Sequence, residues 1–169
     1  VVELGDASLL DKYEAAIVRD LDGKTLMPGF IDSHTHISGD PQRYIDLSEV
    51  TSIAEIQDLI RAKAAELGTG EWITGYGWSE DELAEGRKPL RGDLDIAAPR
   101  NPVTLTRAGG HSAVVSTSAL GLAEINNNTP DPEGGVIERD ENGVANGIIR
   151  ERQGIVGRLV PDSTYEELL

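Results

Sequence analysis

The sequence contains no cysteine and few aromatic residues, with one Phe, two Trp and four Tyr among 169 residues. The lack of cysteine excludes disulfide bonds, thiolate metal sites and a cysteine nucleophile within this stretch. No apolar run approaches 18 residues, so no transmembrane helix is predicted. Basic residues are also scarce, with 15 Lys and Arg against 30 Asp and Glu and a net charge of −15. Because binding to nucleic acids or anionic membranes needs a basic face, we expect neither partner.

The composition is otherwise that of a folded protein. Hydrophobic residues make up 38% of the chain and charged residues 27%, which argues against disorder. A chain of 169 residues can bury a core, but a complete single-domain α/β barrel needs roughly 250. The chain starts without Met and without the charged-then-apolar pattern of a signal peptide. A missing Met is also typical of a fragment. The lack of cysteine and the acidic charge favour a cytoplasmic location.

Periodicity and turn residues predict alternating strands and helices, which implies an α/β fold with parallel strand pairing. A capping box at residues 52–55 begins a helix that continues to Leu67, and Gly68 fits its C-terminal cap. Asp-Gly and Asn-Gly pairs predict tight turns at residues 22–23 and 142–143, the second inside a β-hairpin. The other predicted strands are 15–18, 30–36, 72–77 and 103–107, with hairpin strands at 136–139 and 144–149. The other predicted helices are 79–85 and 112–125, one that starts near Arg150, and one that is capped by residues 161–164 and continues to Leu169.

Two histidines separated by one residue form the sharpest chemical feature. Side chains at positions i and i+2 of a strand point to the same face, so His34 and His36 could bind one metal ion together. Neutral imidazole suits zinc and other divalent first-row metals. Asp32 lies two residues earlier and could orient one of the histidines as a hydrogen-bond acceptor. The alternative is a chance pair of histidines on a strand.

The string that carries these histidines, PGFIDSHTH at residues 28–36, resembles the first barrel strand of the amidohydrolase superfamily. Residues 18–27 resemble the end of the small β-sandwich that precedes the barrel in that superfamily. Later motifs are similar to the YtcJ-like branch, also called the amidohydrolase 3 group. They are GYGW at 75–78, LD at 94–95, NPV at 101–103, GHSA at 110–113, GGVI at 134–137 and GIIRE at 147–151. One departure is Ser116-Thr117-Ser118, where relatives commonly carry an Asn.

The resemblance implies a partial (β/α)8 TIM barrel preceded by a remnant of a β-sandwich. Residues 1–27 would end the sandwich domain, and residues 28–169 would form the N-terminal part of the barrel, with a hairpin inserted at about 134–149. It also implies that the chain is the N-terminal part of a longer enzyme. The further metal-binding histidines and the aspartate general base of the superfamily have no counterpart before Leu169.

The resemblance implies roles for five residues. His34 and His36 would bind the metal, and Glu151 is a candidate bridging or ligand carboxylate, with a solvated or salt-bridged Glu as the alternative. His111 would end a strand on the catalytic face, where it could bind or polarise the scissile carbonyl. A loop histidine that caps backbone groups is its alternative. Trp78 would line a substrate pocket or pack in the core.

We therefore expect a hydrolase that cleaves carbon–nitrogen bonds other than peptide bonds in a small amide substrate. One or two divalent metal ions would activate the attacking water, and zinc is the first candidate. A second hypothesis is a truncated, non-catalytic chain with at most a partial metal site, because catalytic zinc normally has three protein ligands. A third is an acidic interaction module. Open sheet edges of a partial barrel further predict marginal stability or self-association of the isolated chain.

Overall fold

The computed structural model describes residues 3–29, 31 and 41–164, which fall into two compact units, residues 1–37 and 38–169. In the first unit, residues 9–12 form the helix α1 (Leu9–Lys12). The predicted turn at Asp22 and Gly23 is confirmed, since both residues have positive φ and Lys24 N–H donates to Leu21 O at 3.0 Å. The predicted strand at 15–18 is wrong. Its apolar side chains are exposed, and no strand in the described part of this unit pairs with it.

The second unit contains six strands and four helices in its described part. The strands are β1 (Tyr44–Asp46), β2 (Ile73–Trp78), β3 (Val103–Arg107), β4 (Ser112–Val115), β5 (Val136–Arg139) and β6 (Ala145–Arg150). The helices are α2 (Ile53–Leu67), α3 (Arg91–Ala97), α4 (Thr117–Leu122) and α5 (Gly154–Gly157).

The strands form one mixed sheet in the order β1-β2-β3-β4-β6-β5. The first three strands are parallel, as predicted. The predicted helix α2 connects β1 to β2, and α3, which was not predicted, connects β2 to β3. The other three strands pair antiparallel, with β4 against β3 and β6 and with β5 against β6. The predicted hairpin is confirmed as β5 and β6, whose turn is closed by a hydrogen bond from Gly143 N–H to Asp140 O at 3.0 Å.

Local sequence explains the longest helix. Ser52 is the N-cap of α2, and its side chain accepts a hydrogen bond from Glu55 N–H at 3.2 Å. The Glu55 carboxylate accepts from Thr51 N–H at 2.7 Å, one residue earlier than in a standard capping box. Gly68, at a φ of 93°, ends the helix, and its N–H donates to Ala64 O. The capped helix buries one apolar side against the parallel strands.

A single row of residues crosses the sheet beneath α2 and α3. It consists of Ile45, Gly75, Leu105, Val114 and Ile148, which are partners in successive strands. A Cβ atom on Gly75 would lie 2.8 Å from the Ile45 side chain and 2.9 Å from its carbonyl oxygen, so this position requires glycine. The other four residues of the row are buried, which places the larger core on this face of the sheet.

Two predicted helices are wrong. Residues 112–125, predicted as one helix, form strand β4, the N-cap Ser116 and helix α4. All four residues of β4 are buried, so it lacks the alternation that identifies a strand exposed on one side. Residues 79–85 form turns, because Ala84 N–H donates to Thr51 O in a distant loop instead of to a helical carbonyl.

The mixed sheet with packed helices is an α/β architecture, as expected. The parallel order of β1–β3 is that of barrel strands, whereas β4, β5 and β6 depart from the all-parallel order of a (β/α)8 barrel. The barrel and the sandwich stay predictions. Within the described residues, no helix is both long enough and apolar enough to cross a membrane.

Candidate functional site

The structure describes three of the residues to which the sequence assigned chemistry, namely Trp78, His111 and Glu151. The other three, His34, His36 and Asp32, lie outside the described residues. The metal-binding prediction for the two histidines therefore stays a prediction.

His111 and Glu151 are brought together by the antiparallel pairing of β4 with β6. The pairing of Ser112 with Arg150 ends this ladder, and His111 and Glu151 are the next residues outward on each chain segment. Glu151 N–H donates to His111 O at 2.8 Å, which continues the ladder by one hydrogen bond. The side chains also meet, with His111 Nδ1 lying 3.1 Å from Glu151 Oε2. Two residues that are 40 positions apart in sequence thus form one pair.

The chain around this pair has an unusual backbone. Gly109 and Gly110, directly before His111, have φ angles of 91° and 78°. Glu151 has a φ of 60°, a left-handed conformation that non-glycine residues seldom adopt and that is often found at functional sites. Gln153 donates a side-chain hydrogen bond to Gly110 O and thereby joins the two segments again. A backbone hydrogen bond from Glu151 to His111 and a side-chain hydrogen bond from Gln153 to Gly110 thus hold the two segments together.

Both side chains remain open to the surroundings. The His111 side chain is 80% exposed and that of Glu151 58% exposed. A shallow cavity of about 340 Å³ lies beside Glu151, and Arg152, Gln153 and Arg158 are among its lining residues. An exposed imidazole next to a carboxylate can exchange protons or bind a ligand, provided that a further surface supplies the rest of the site.

Trp78 has a different environment. Its side chain is 0% exposed in the core beneath α2 and α3, and its indole N–H donates to Leu105 O at 2.9 Å. A buried indole whose only donor is satisfied has no surface left for a substrate. The structure thus favours the packing alternative over a substrate-binding role for this residue.

The sequence analysis missed an ion pair at the carboxyl ends of β2 and β3. Arg107 Nε lies 2.7 Å from Glu80 Oε2, with both side chains about one-third exposed or less. The hydrogen bond from Arg107 lowers the pKa of Glu80, and the same bond raises the pKa of Arg107. The acidic run at residues 80–82 gave no hint of this partner, because the turn that positions Glu80 was predicted as a helix.

The described residues do not form a metal site by themselves. No three His, Asp or Glu side chains among residues 3–29, 31 and 41–164 lie close enough to hold a metal ion. The donors of His111 and Glu151, an imidazole nitrogen and carboxylate oxygens, are of the types that zinc prefers. In chemistry they fit a divalent metal, although two donors are too few to hold it alone.

A comparison with known families decides the membership of this chain. Residues 18–169 match the model of the amidohydrolase family. The chain belongs to the amidohydrolase family. This match covers the segment with the paired histidines and both segments that meet at His111 and Glu151.

Individual relatives of this amidohydrolase-family chain are much longer. YtcJ of Bacillus subtilis (strain 168), which bears the name of an amidohydrolase, is 37% identical over 158 residues that make up 90% of this chain and 30% of YtcJ. The N-substituted formamide deformylase of Arthrobacter pascens is 36% identical over 80% of this chain and 26% of the enzyme. The chain thus spans about 30% or less of the length of these relatives.

Solved structures give a consistent result. A metal-dependent hydrolase from Pyrococcus furiosus is 31% identical and matches 70% of this chain and 21% of its own chain, with a TM-score of 0.51. A metal-dependent hydrolase from Pyrococcus horikoshii OT3 is 30% identical and matches the same share of this chain, with a TM-score of 0.50. Both of these solved structures are named as metal-dependent hydrolases.

Proposed function

We propose that this chain is part of a hydrolase that cleaves carbon–nitrogen bonds of small amides other than peptides with the help of a divalent metal. The observation that carries this proposal is the family match over residues 18–169, which contain the paired histidines. The formamide deformylase among the relatives supports a non-peptide amide, and the metal-dependent hydrolases support the metal. Zinc is our first candidate, with one or two ions in the whole enzyme, which we expect to be cytoplasmic.

His34 and His36 would hold the metal, and Glu151 is the candidate carboxylate ligand. A divalent metal bound there would lower the pKa of a bound water toward neutrality and polarise the substrate carbonyl. His111, which directly precedes β4 and has an exposed ring, would contact the scissile amide group. In domain terms, we propose that residues 1–27 end a β-sandwich and that residues 28–169 belong to a partial barrel with a hairpin insertion at about 134–149.

The metal assignment is tested by measuring metal content in the whole enzyme. The double variant His34→Ala/His36→Ala should lose most of its bound metal and its hydrolysis of N-substituted formamides, because both ligand imidazoles are removed. The double variant Glu141→Ala/Asn142→Ala is the control, since both residues are exposed in the turn between β5 and β6 and neither is assigned to the site. Unchanged metal content together with unchanged hydrolysis in the double variant would overturn the proposal.

A second candidate function is a non-catalytic chain with at most a partial metal site. It is favoured by the metal-donor set of the described residues, in which no three His, Asp or Glu side chains come together. An assay of the isolated 169-residue chain on a panel of formamides and N-acyl amines tests this second candidate. We expect no turnover by the isolated chain, and turnover would exclude the non-catalytic candidate.

We also propose that the isolated chain self-associates. In the described sheet, β1 and β5 are edge strands that present unpaired backbone groups on their outer sides. Size-exclusion chromatography at several protein concentrations should show a concentration-dependent species larger than the 18.1 kDa chain. A compact monomer at every concentration would contradict this.

A further inference from the structure

We propose that Glu151 is a positioning residue that fixes the ring of His111 in one tautomer, with the proton on Nδ1 and a free electron pair on Nε2. The basis is the contact of 3.1 Å between His111 Nδ1 and Glu151 Oε2. The value of this arrangement for catalysis rests on the proposed function. The tautomer itself is a property of the chain and can be measured without any substrate or metal.

The chemistry of the contact decides which nitrogen carries the proton. An ionised carboxylate only accepts hydrogen bonds, so the ring nitrogen that faces Glu151 must be the donor. In a neutral imidazole the other nitrogen is then an acceptor. Nε2 of His111 can therefore accept a hydrogen bond from an amide N–H or a water molecule, or bind a metal. It cannot donate to a carbonyl oxygen while the ring is neutral, which narrows the role expected from the sequence.

The neighbouring arginines do not compete for Glu151. Arg150 Nε lies 3.1 Å from Glu138 Oε1, on the adjacent strand β5. Arg152 Nε donates to Glu133 O at 2.8 Å. The guanidinium groups of Arg150 and Arg152, which flank Glu151 in sequence, thus interact with other acceptors. The side-chain contact that the structure describes for the Glu151 carboxylate is with His111.

The backbone conformation at Glu151 allows the effect of losing its carboxylate to be distinguished from the effect of relieving backbone strain. Glu151 and Glu124 both have positive φ angles, 60° and 56°, and both are exposed. Glycine adopts this conformation without steric cost, so glycine at either position should relieve the same strain. Only the change at Glu151 removes the partner of His111. Glu124, which follows α4, is therefore a matched control.

The experiment is nitrogen-15 NMR of the imidazole rings in the 169-residue chain at mildly alkaline pH. The chain has three histidines, and His111→Gln identifies the signals of His111. We expect a protonated Nδ1 and an unprotonated Nε2 for His111 in the unchanged chain. In Glu151→Gly these shifts should move toward the Nε2-protonated form that free histidine prefers, whereas Glu124→Gly should leave them unchanged.

Two further measurements make the result unambiguous. Glu151→Gln keeps an acceptor oxygen, so it should retain more of the Nδ1-protonated form than Glu151→Gly does. Because strain is relieved, the melting temperature of Glu151→Gly should be no lower than that of the unchanged chain, which excludes unfolding as the cause. An Nε2-protonated His111 in the unchanged chain, or identical shifts in Glu151→Gly, would overturn the proposal. Neither outcome depends on the metal measurement at His34 and His36.

Discussion

The two halves of the sheet bury their side chains in different ways. In the parallel half, β1–β3 with α2 and α3, one face is apolar, and the other carries half-buried or exposed Thr and Tyr side chains such as Thr74, Tyr76 and Thr106. In the antiparallel half, β4–β6, all four residues of β4 and most of β6 are buried. Yet this more enclosed half ends in the exposed pair of His111 and Glu151.

The two halves therefore differ in what they contribute: the parallel half supplies most of the larger core, and the antiparallel half supplies the residues of the candidate site. The parallel half contributes most of the larger core, which includes Trp78. The antiparallel half contributes a ladder, and the residues directly beyond its last pair, His111 and Glu151, form the candidate site. A left-handed glutamate at that position costs roughly 1 kcal/mol or more and persists because the surrounding structure is stable. We therefore expect substitutions in the parallel half to change the free energy of unfolding. Substitutions at the end of the ladder should instead change the tautomer of the His111 ring.

The largest effect is expected from Trp78→Ala in the parallel half. Removing this fully buried side chain should lower the free energy of unfolding by about 3–5 kcal/mol, because a large cavity forms and the bond to Leu105 O is lost. Urea unfolding measures it. Tyr76→Ala, on the opposite face and 46% exposed, is the control and should cost far less. A loss at Trp78 as small as that at Tyr76 would refute its assignment to the core.

Gly147→Ala tests the antiparallel half. Gly147 has a φ of 99°, and a Cβ there would lie 2.7 Å from Val115 O and from the Arg91 Cβ. Strain and overpacking together should cost about 2–4 kcal/mol in urea unfolding. Gly121→Ala in α4 has open space around it and should raise the stability by about 0.5–1 kcal/mol. Equal effects of the two substitutions would show that β6 and α3 do not pack as described.

Ser116→Ala probes the junction between the halves. The buried Ser116 Oγ accepts hydrogen bonds from Val103 N–H at 3.0 Å and from Ala119 N–H at 3.3 Å, so it links β3 to the start of α4. Its loss should cost about 1–3 kcal/mol, because both donors would be left buried without this acceptor. Ser118→Ala, two residues later, is the control for thermal melting and should have little effect. A Ser116→Ala variant with an unchanged melting temperature would contradict this link.

The smallest effect is a pH dependence at Asp93 in the parallel half. Burial raises the pKa of Asp93, but hydrogen bonds from Arg87 and from Leu90 N–H outweigh it and leave the pKa lowered. A lowered folded-state pKa stabilises the protein above about pH 4, and this stability is lost as the pH falls through the folded-state value.

Asp93→Asn should therefore be less stable than the unchanged chain at pH 6, by up to about 1 kcal/mol, and the difference should shrink toward pH 3. Urea unfolding across this pH range measures the effect. Asp58→Asn, which removes an exposed ion pair with Arg61, should show almost no difference. A difference for Asp93→Asn that grew on acidification would contradict the lowered pKa.

Each half of the sheet was predictable from sequence only in part. The bounds of α2 and β3 were predicted correctly because capping residues and periodicity are local. Strand β4 was missed because Ser-Ala-Val-Val has no alternation when both faces are covered. Helix α3 and the short strand β1 were missed because neither has a long enough pattern. With β4 taken as a helix, the meeting of His111 with Glu151 was unpredictable, although each had been singled out separately.

The pairing of Ser112 with Arg150 makes the candidate site a reporter of strand register. Side chains alternate between the two faces of a sheet, so a slip of one residue between β4 and β6 would send His111 and Glu151 to opposite faces. Such a misaligned chain could keep every helix and nearly the same circular dichroism spectrum. It would differ from the native chain in the His111 tautomer. The protonation of Nδ1 of His111 would therefore distinguish the native strand register from a register shifted by one residue.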